Sequence, residues 1–181
     1  MQQHNNPWTI ISEKNVYDNP WINLTEFSVI NPSGGKGIYG KVHFKNRAIG
    51  IVAIDDDENI YLVGQYRFPT NHYSWELPEG GGPLNEEPLK AAQRELLEET
   101  GLIANNWQEL MRMHLSNSVT DEEAIVYLAK NLTQHEAEPE ETEDLQTLKL
   151  PFEDVFEKVM NGEITDSITV AAVLKLKVMG H

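Results

Sequence analysis

The chain has 181 residues, a length suited to one domain with enough apolar surface to bury a core. Its 29 acidic and 14 basic residues leave a formal charge of −15, which opposes binding to nucleic acid or to anionic membrane. It has no cysteine, which excludes disulfides and thiolate metal sites; no apolar run reaches membrane-spanning length, and the opening MQQHNNPWTI lacks a basic segment followed by an apolar one. The expectation is a cytoplasmic globular protein.

In chain order, residues 8–30 read as strands broken at Asn19-Pro20 and closed by the turn Asn31-Pro32-Ser33-Gly34-Gly35. Lys36 follows these glycines, but no Ser or Thr comes after it, so the turn reads as a hairpin and not as a phosphate cradle. Strands are expected at about 38–44, 48–55 and 60–67, the last two joined by Asp55-Asp56-Asp57-Glu58-Asn59. Glu76-Leu77 is a short extended piece leading into the glycine loop Glu79-Gly80-Gly81-Gly82. A helix follows, with Asn85 as N-cap, Pro88 in the first turn and Gly101 as its stop. Strands at about 108–116 and 123–130 flank the loop from Asn117 to Glu122. The acidic run Glu136–Asp144 reads as a solvated loop, 145–150 as a strand, 152–161 as a helix opened by Pro151, and Ser167–Val178 as a last helix capped by Asp166. Strands, an intervening helix and terminal helices predict an α/β or α+β sandwich, with 1–181 as one domain.

The chemistry concentrates between Gly80 and Leu102. Gly80, Glu86, Arg94-Glu95-Leu96, Glu98-Glu99 and Gly101-Leu102 follow the pattern G-x5-E-x7-R-E-L-x-E-E-x-G-L. At helical spacing, Leu89, Ala92, Leu96 and Thr100 form an apolar stripe, while Glu95, Glu98 and Glu99 form an acidic one. Like charges three and four residues apart repel, and Arg94 offsets this only in part, at Glu98. A hard divalent cation bound by carboxylate oxygens relieves the repulsion, and the slim glycine loop can bring a backbone carbonyl to the same ion. The alternative is a solvated acidic helix face.

These nine positions fill the box that defines the Nudix hydrolases, and the chain resembles that family, which cleaves diphosphates linked to another moiety. The resemblance implies a mixed sheet sandwiched between helices, with the box as loop-helix-loop. It also implies Mg2+, for which Mn2+ can substitute, held by Glu95, Glu98, Glu99 and the Glu79 carbonyl. Gly80, Glu86, Arg94 and Gly101 are then supports of the box. Cations fit the overall charge, because a chain this acidic would otherwise repel a diphosphate.

Outside the box, Val16-Tyr17-Asp18-Asn19-Pro20-Trp21-Ile22, Gln65-Tyr66-Arg67-Phe68-Pro69 and Trp75-Glu76-Leu77-Pro78 resemble the ADP-ribose pyrophosphatase branch. That branch implies a homodimer, with strands in 1–45 contributing to dimerisation and 46–181 as the catalytic core. Arg67 is the candidate phosphate or ribose contact, with a structural ion pair as the alternative. Glu76 is a further substrate-site candidate. Trp21, Tyr17 and Trp8 are candidates to stack on a base, with core or interface packing as their alternative, and Trp75 reads as core. Glu122 matches the position of a catalytic Glu, so the catalytic set is Glu122, Glu95 and Glu98; Asp121 and Glu123 compete with Glu122 for the role of base. The branch carries a proline where this chain has Asn117 and Ser118, which leaves the substrate open. The expected reaction is hydrolysis of a nucleoside diphosphate sugar, ADP-ribose to AMP and ribose 5-phosphate. GDP-mannose is the alternative substrate and a non-catalytic ligand sensor the alternative role.

Overall fold

The computed structural model describes residues 5–135 and 145–181, so the acidic run Glu136–Asp144 lies outside the described residues. Ten strands and three helices are present among them, the mixture of strand and helix that the sequence pattern predicts. The chain divides into two compact units, one of Met1–Asn46 with Ser116–Glu122, the other of Arg47–Leu115 with Glu123–His181.

The first unit is an antiparallel meander of β1 (Thr9–Asp18), β2 (Ile22–Ile30) and β3 (Lys36–Phe44). The break at Asn19-Pro20 is a turn in which the Asn19 side chain accepts from the backbone N–H of Trp21 and Ile22, at 2.9 and 2.7 Å. Asn31 does the same in the β2–β3 hairpin, accepting from Ser33 and Gly35, each at 3.0 Å. Gly34 there takes a φ of 84°, which favours glycine. The segment Ser116–Glu122 bridges Thr120 to Val42 in parallel, and Asp121 pairs with Lys41 and His43 at 3.1 and 2.9 Å. All of β1 is exposed, Ile10, Ile11, Val16 and Tyr17 included.

The second unit is layered. A four-stranded sheet runs β7 (Glu79–Pro83), β4 (Asn46–Ala53), β9 (Glu123–Gln134), β8 (Leu102–His114), with β4 and β9 parallel. A second sheet runs β10 (Gln146–Pro151), β5 (Asn59–Arg67), β6 (His72–Glu76). The central strands are apolar on both faces, as strands covered twice must be. Ile49, Ile51, Ile125 and Tyr127 meet Ala91, Ala92 and Leu96 of α1 (Pro88–Thr100). Val52, Val126 and Leu128 on the opposite face meet Phe152 and Val155 of α2 (Phe152–Met160) and Ile168, Ala172 and Leu176 of α3 (Ser167–Met179). At Gly50 an added Cβ would lie 2.6 Å from the Ile168 side chain, so the glycine admits α3 to the sheet.

Three boundaries differ from the sequence reading. The first helix starts two residues later: its N-cap is Glu87, whose carboxylate accepts from the N–H of Leu89 and Lys90 at 3.3 and 3.2 Å, and Pro88 opens it. Asn85 and Glu86 lie before the helix, so neither acid of the Glu86-Glu87 pair sits within its first turn. The glycine loop is the extended strand β7, because its backbone joins the sheet edge beside β4. Strand β8 begins at Leu102 and not near 108: Leu102, Ile103, Ala104 and Asn106 pair with β9, and the Asn105 amide donates to the Asn131 carbonyl at 3.3 Å. The Asp55 turn, the Asp166 cap (2.7 Å to the Thr169 N–H) and the Gly101 stop (φ 70°) form where the pattern places them.

Candidate active site

Strand β7 and helix α1 hold the acids of the box. The Glu79 N–H donates to Glu99 Oε2 at 2.9 Å, tying the start of β7 to the last turn of α1. Glu99 is 3% exposed, a burial that an unpartnered carboxylate would not tolerate. Next along β7, a Cβ added to Gly80 would sit 2.2 Å from the Glu95 carboxylate, so only a glycine lets that carboxylate lie against the strand. Arg94 binds the group from the solvent side, pairing with Glu95 and Glu98 at 2.9 Å each and Glu86 at 3.9 Å, and donating to the Gly81 carbonyl at 3.1 Å. One guanidinium thus ties together three acids of the box and the strand.

A second carboxylate group lies against the first through Glu79. Arg67, at the end of β5, donates Nε to Glu76 at 3.0 Å, and Nη2 to Glu76 and to Glu79 at 2.5 and 2.8 Å. Its Nη1 has no hydrogen-bond partner among the described residues. Single oxygens of Glu76, Glu79 and Asp166 all lie within 4.8 Å of one another, three carboxylates around one guanidinium. Glu79 Oε2 is buried without a hydrogen-bond partner among the described residues. Burial, then the charges of Asp166 and Glu76, push the Glu79 carboxyl well above the usual range, with Arg67 opposing. The structural ion pair that the sequence offered for Arg67 is present, and it also occupies Glu76. In the sequence pattern Glu79 stands out only for its carbonyl and Asp166 only as a helix cap. The spacing of Asp166 ahead of Thr169 is a capping signal, and nothing in the chain places it beside Glu79.

Of the remaining candidates, Trp8, Tyr17, Trp21, Asp121 and Glu122 lie in the first unit, and Trp75 and Glu123 in the second. Trp21 and Tyr17 are 67% and 52% exposed, and Trp8 packs edge-on against Tyr39 at 5.3 Å, so none of the three is core. Trp75, in contrast, packs on the core of its own unit, as expected. Of the three adjacent acids, Asp121 is paired with Lys41 and His43, and Glu123 faces Arg47 and Arg112 at 3.7 Å each. The carboxylate of Glu122 pairs with no described residue, and burial raises its pKa.

An all-oxygen donor set on a slim strand fits a hard divalent cation, and the Gly80 contact shows that the site is shaped around a carboxylate. No helix among the described residues is long and apolar enough to cross a membrane.

Comparisons with known proteins identify the family and the fold. Residues 8–42 match the nucleoside diphosphate sugar hydrolase N-terminal domain, and residues 44–169 match the NUDIX domain. An ADP-ribose pyrophosphatase of Mycobacterium tuberculosis is 40% identical over 131 residues, 70% of this chain and 63% of that protein. An ADP-ribose pyrophosphatase of Bacillus subtilis is 28% identical over 169 residues, 92% of this chain and 91% of that one. A crystal structure of an ADP compounds hydrolase superposes with a TM-score of 0.86 at 21% identity, covering 98% of this chain and 96% of that one, which shows the shared fold. The chain belongs to the Nudix hydrolase family, whose members use a divalent cation.

Proposed function

We propose that the protein hydrolyses the diphosphate bond of a nucleoside diphosphate sugar, with ADP-ribose giving AMP and ribose 5-phosphate. The observation that carries this reading is the folded box, in which the Glu79 N–H holds Glu99 and Gly80 makes room for Glu95. The identity to two ADP-ribose pyrophosphatases supports the choice of substrate. Glu95, Glu98 and Glu99, with the Glu79 carbonyl, would hold Mg2+, for which Mn2+ could substitute. When bound, the ion neutralises the diphosphate as charge builds in the transition state.

Glu122 takes a proton from the water that attacks phosphorus; a new O–P bond forms, and the bridging P–O bond breaks toward the leaving phosphate. A carboxylate whose pKa is raised by burial is a stronger base near neutral pH. Arg67, held by Glu76 and Glu79 along one edge, offers Nη1 to a phosphate oxygen. Arg94 and Glu86 orient the helix, Gly101 ends it, and Tyr17 and Trp21 stack on the base. The exposed apolar residues of residues 1–45 form the interface of a homodimer, with 46–181 as the catalytic core of a single functional domain. The charge of −15 supports a cytoplasmic enzyme without nucleic-acid or membrane partners.

The test is a hydrolysis panel with magnesium, using ADP-ribose, GDP-mannose, UDP-glucose, NADH and diadenosine polyphosphates, with products resolved by chromatography. Preference for ADP-ribose with release of AMP is expected. Preference for GDP-mannose would move the substrate, and turnover persisting in excess EDTA would defeat the mechanism.

A further inference from the structure

A cavity of about 360 Å³ lies in the second unit between the β5–β6 hairpin and the N-terminus of α3. The hairpin has two unlike faces. Gly64, Tyr66, Tyr73 and Trp75 share one, by alternation and register, and Arg67, His72, Ser74 and Glu76 share the other. The polar face and the Thr165-Asp166-Ser167 corner line the cavity, and Pro69 is its one apolar lining residue. This size is within the range of small-molecule sites, about 300–1,000 Å³.

Several of these groups lack partners. Ser74 is 7% exposed, yet its hydroxyl bonds to no described residue. The hydroxyls of Thr165 and Ser167 and Nη1 of Arg67 also have no bond to described residues. Asp166 uses Oδ2 to cap Thr169 at 2.7 Å, and its other oxygen accepts from no described residue. Hydroxyls that no neighbouring residue engages are open to the donors and acceptors of a ligand.

The charge decides the class of ligand. Glu76 and Asp166 in the wall, with Glu79 behind Arg67, outnumber the guanidinium, so a further phosphate is repelled here while hydroxyl donors are welcome. Glu79 joins the cavity to the box, because its N–H binds Glu99 while its carboxylate binds Arg67.

We propose that this cavity receives the sugar ring of the substrate, with Ser74, Asp166 and Ser167 reading its hydroxyls. The assignment rests on the reading of the protein as a nucleoside diphosphate sugar hydrolase. It selects a neutral sugar beyond the second phosphate over a phosphorylated one.

The experiment compares kcat/KM for ADP-ribose with kcat/KM for an ADP ester carrying a methyl group in place of the sugar, in the magnesium-loaded enzyme. Ser74→Ala and Ser167→Ala are each measured; Ser167 is exposed, so its variant folds even if the Ser74 variant does not. The ratio of ADP-ribose to methyl ester is expected to fall about tenfold for Ser74→Ala and less for Ser167→Ala, through KM, as each loses a hydrogen bond to the sugar. An unchanged ratio in both variants, while the wild type hydrolyses both compounds, overturns the sugar site and leaves the hydrolase reading standing. A wild type that hydrolyses neither compound defeats the hydrolase reading, and the sugar site with it.

Discussion

The two units of the chain handle their apolar and charged groups in opposite ways. In the second unit, Ile49, Ile51, Ile125 and Leu96 are fully enclosed, and even the acid Glu99 is 3% exposed with a backbone donor at 2.9 Å. In the first unit, every residue of β1 is exposed, with Ile10 at 59% and Ile11 at 55%, and Ile38 of β3 is 72% exposed. The box unit encloses its core side chains, whereas the meander leaves apolar side chains exposed along β1. Such apolar surface is what the proposed homodimer would cover.

The largest effect that would break this contrast concerns the box. Glu99→Gln is expected to lower kcat by orders of magnitude with the melting temperature little changed, because the amide oxygen still accepts from Glu79 N–H. Near-normal turnover in a steady-state assay would remove Glu99 from the ligand set. Gly80→Ala should follow, with a loss of about a hundredfold, since a Cβ at 2.2 Å forces the Glu95 carboxylate to move. An alanine variant with wild-type kcat would show that Glu95 has room elsewhere.

Stability separates the units next. Leu96→Ala, in the enclosed core beneath the box, is expected to cost about 2–5 kcal/mol in urea unfolding. Asp55, which closes the β4–β5 turn, gives a smaller, pH-dependent effect. Burial raises its pKa, but its bonds to Lys149 and Asn59 outweigh this and bring it from 3.8 down to about 2. A carboxyl with a lowered folded pKa stabilises the protein above pH 4 and loses that contribution as pH falls toward 2. The loss is about 1–2 kcal/mol after solvent screening of the half-exposed Lys149, and Asp55→Asn should abolish this part of the acid sensitivity. An identical pH profile in the variant would rule out Asp55 as its source.

The smallest stability change is expected at the exposed sheet. Ile11→Lys should alter unfolding within each chain by about 0.5 kcal/mol or less. Its effect should instead appear in light scattering, as a fall from the mass of two chains to that of one chain of 20.6 kDa. A wild type that scatters as a single chain would leave the apolar meander without its expected cover.

Much of the box could be read in advance because its information is local. Positions three and four apart share a helix face, so the acidic and apolar stripes of Glu95–Thr100 follow from spacing alone, and Gly101 marks their end. Turns at Asn31, Asp55 and Asp166 are legible for the same reason: each side chain caps its own neighbours. The start of α1 was less so, because Asn85 and Glu87 are both plausible caps and the path of β7 chooses between them. The early start of β8 is not legible locally, because pairing with β9 outweighs the weak strand preference of Asn105 and Asn106.

The sequence by itself therefore determined the family, the acids on the helix and the need for glycine before them. Only the tertiary structure decided that Arg67 is held by Glu76 and Glu79, that Glu122 alone of three adjacent acids pairs with no described residue, and that Asp166 stands beside Glu79. These contacts join residues far apart in the chain, and no periodicity records which distant strand end or helix terminus will meet. Packing settles that, because buried charges must find partners among whatever groups the fold brings near them.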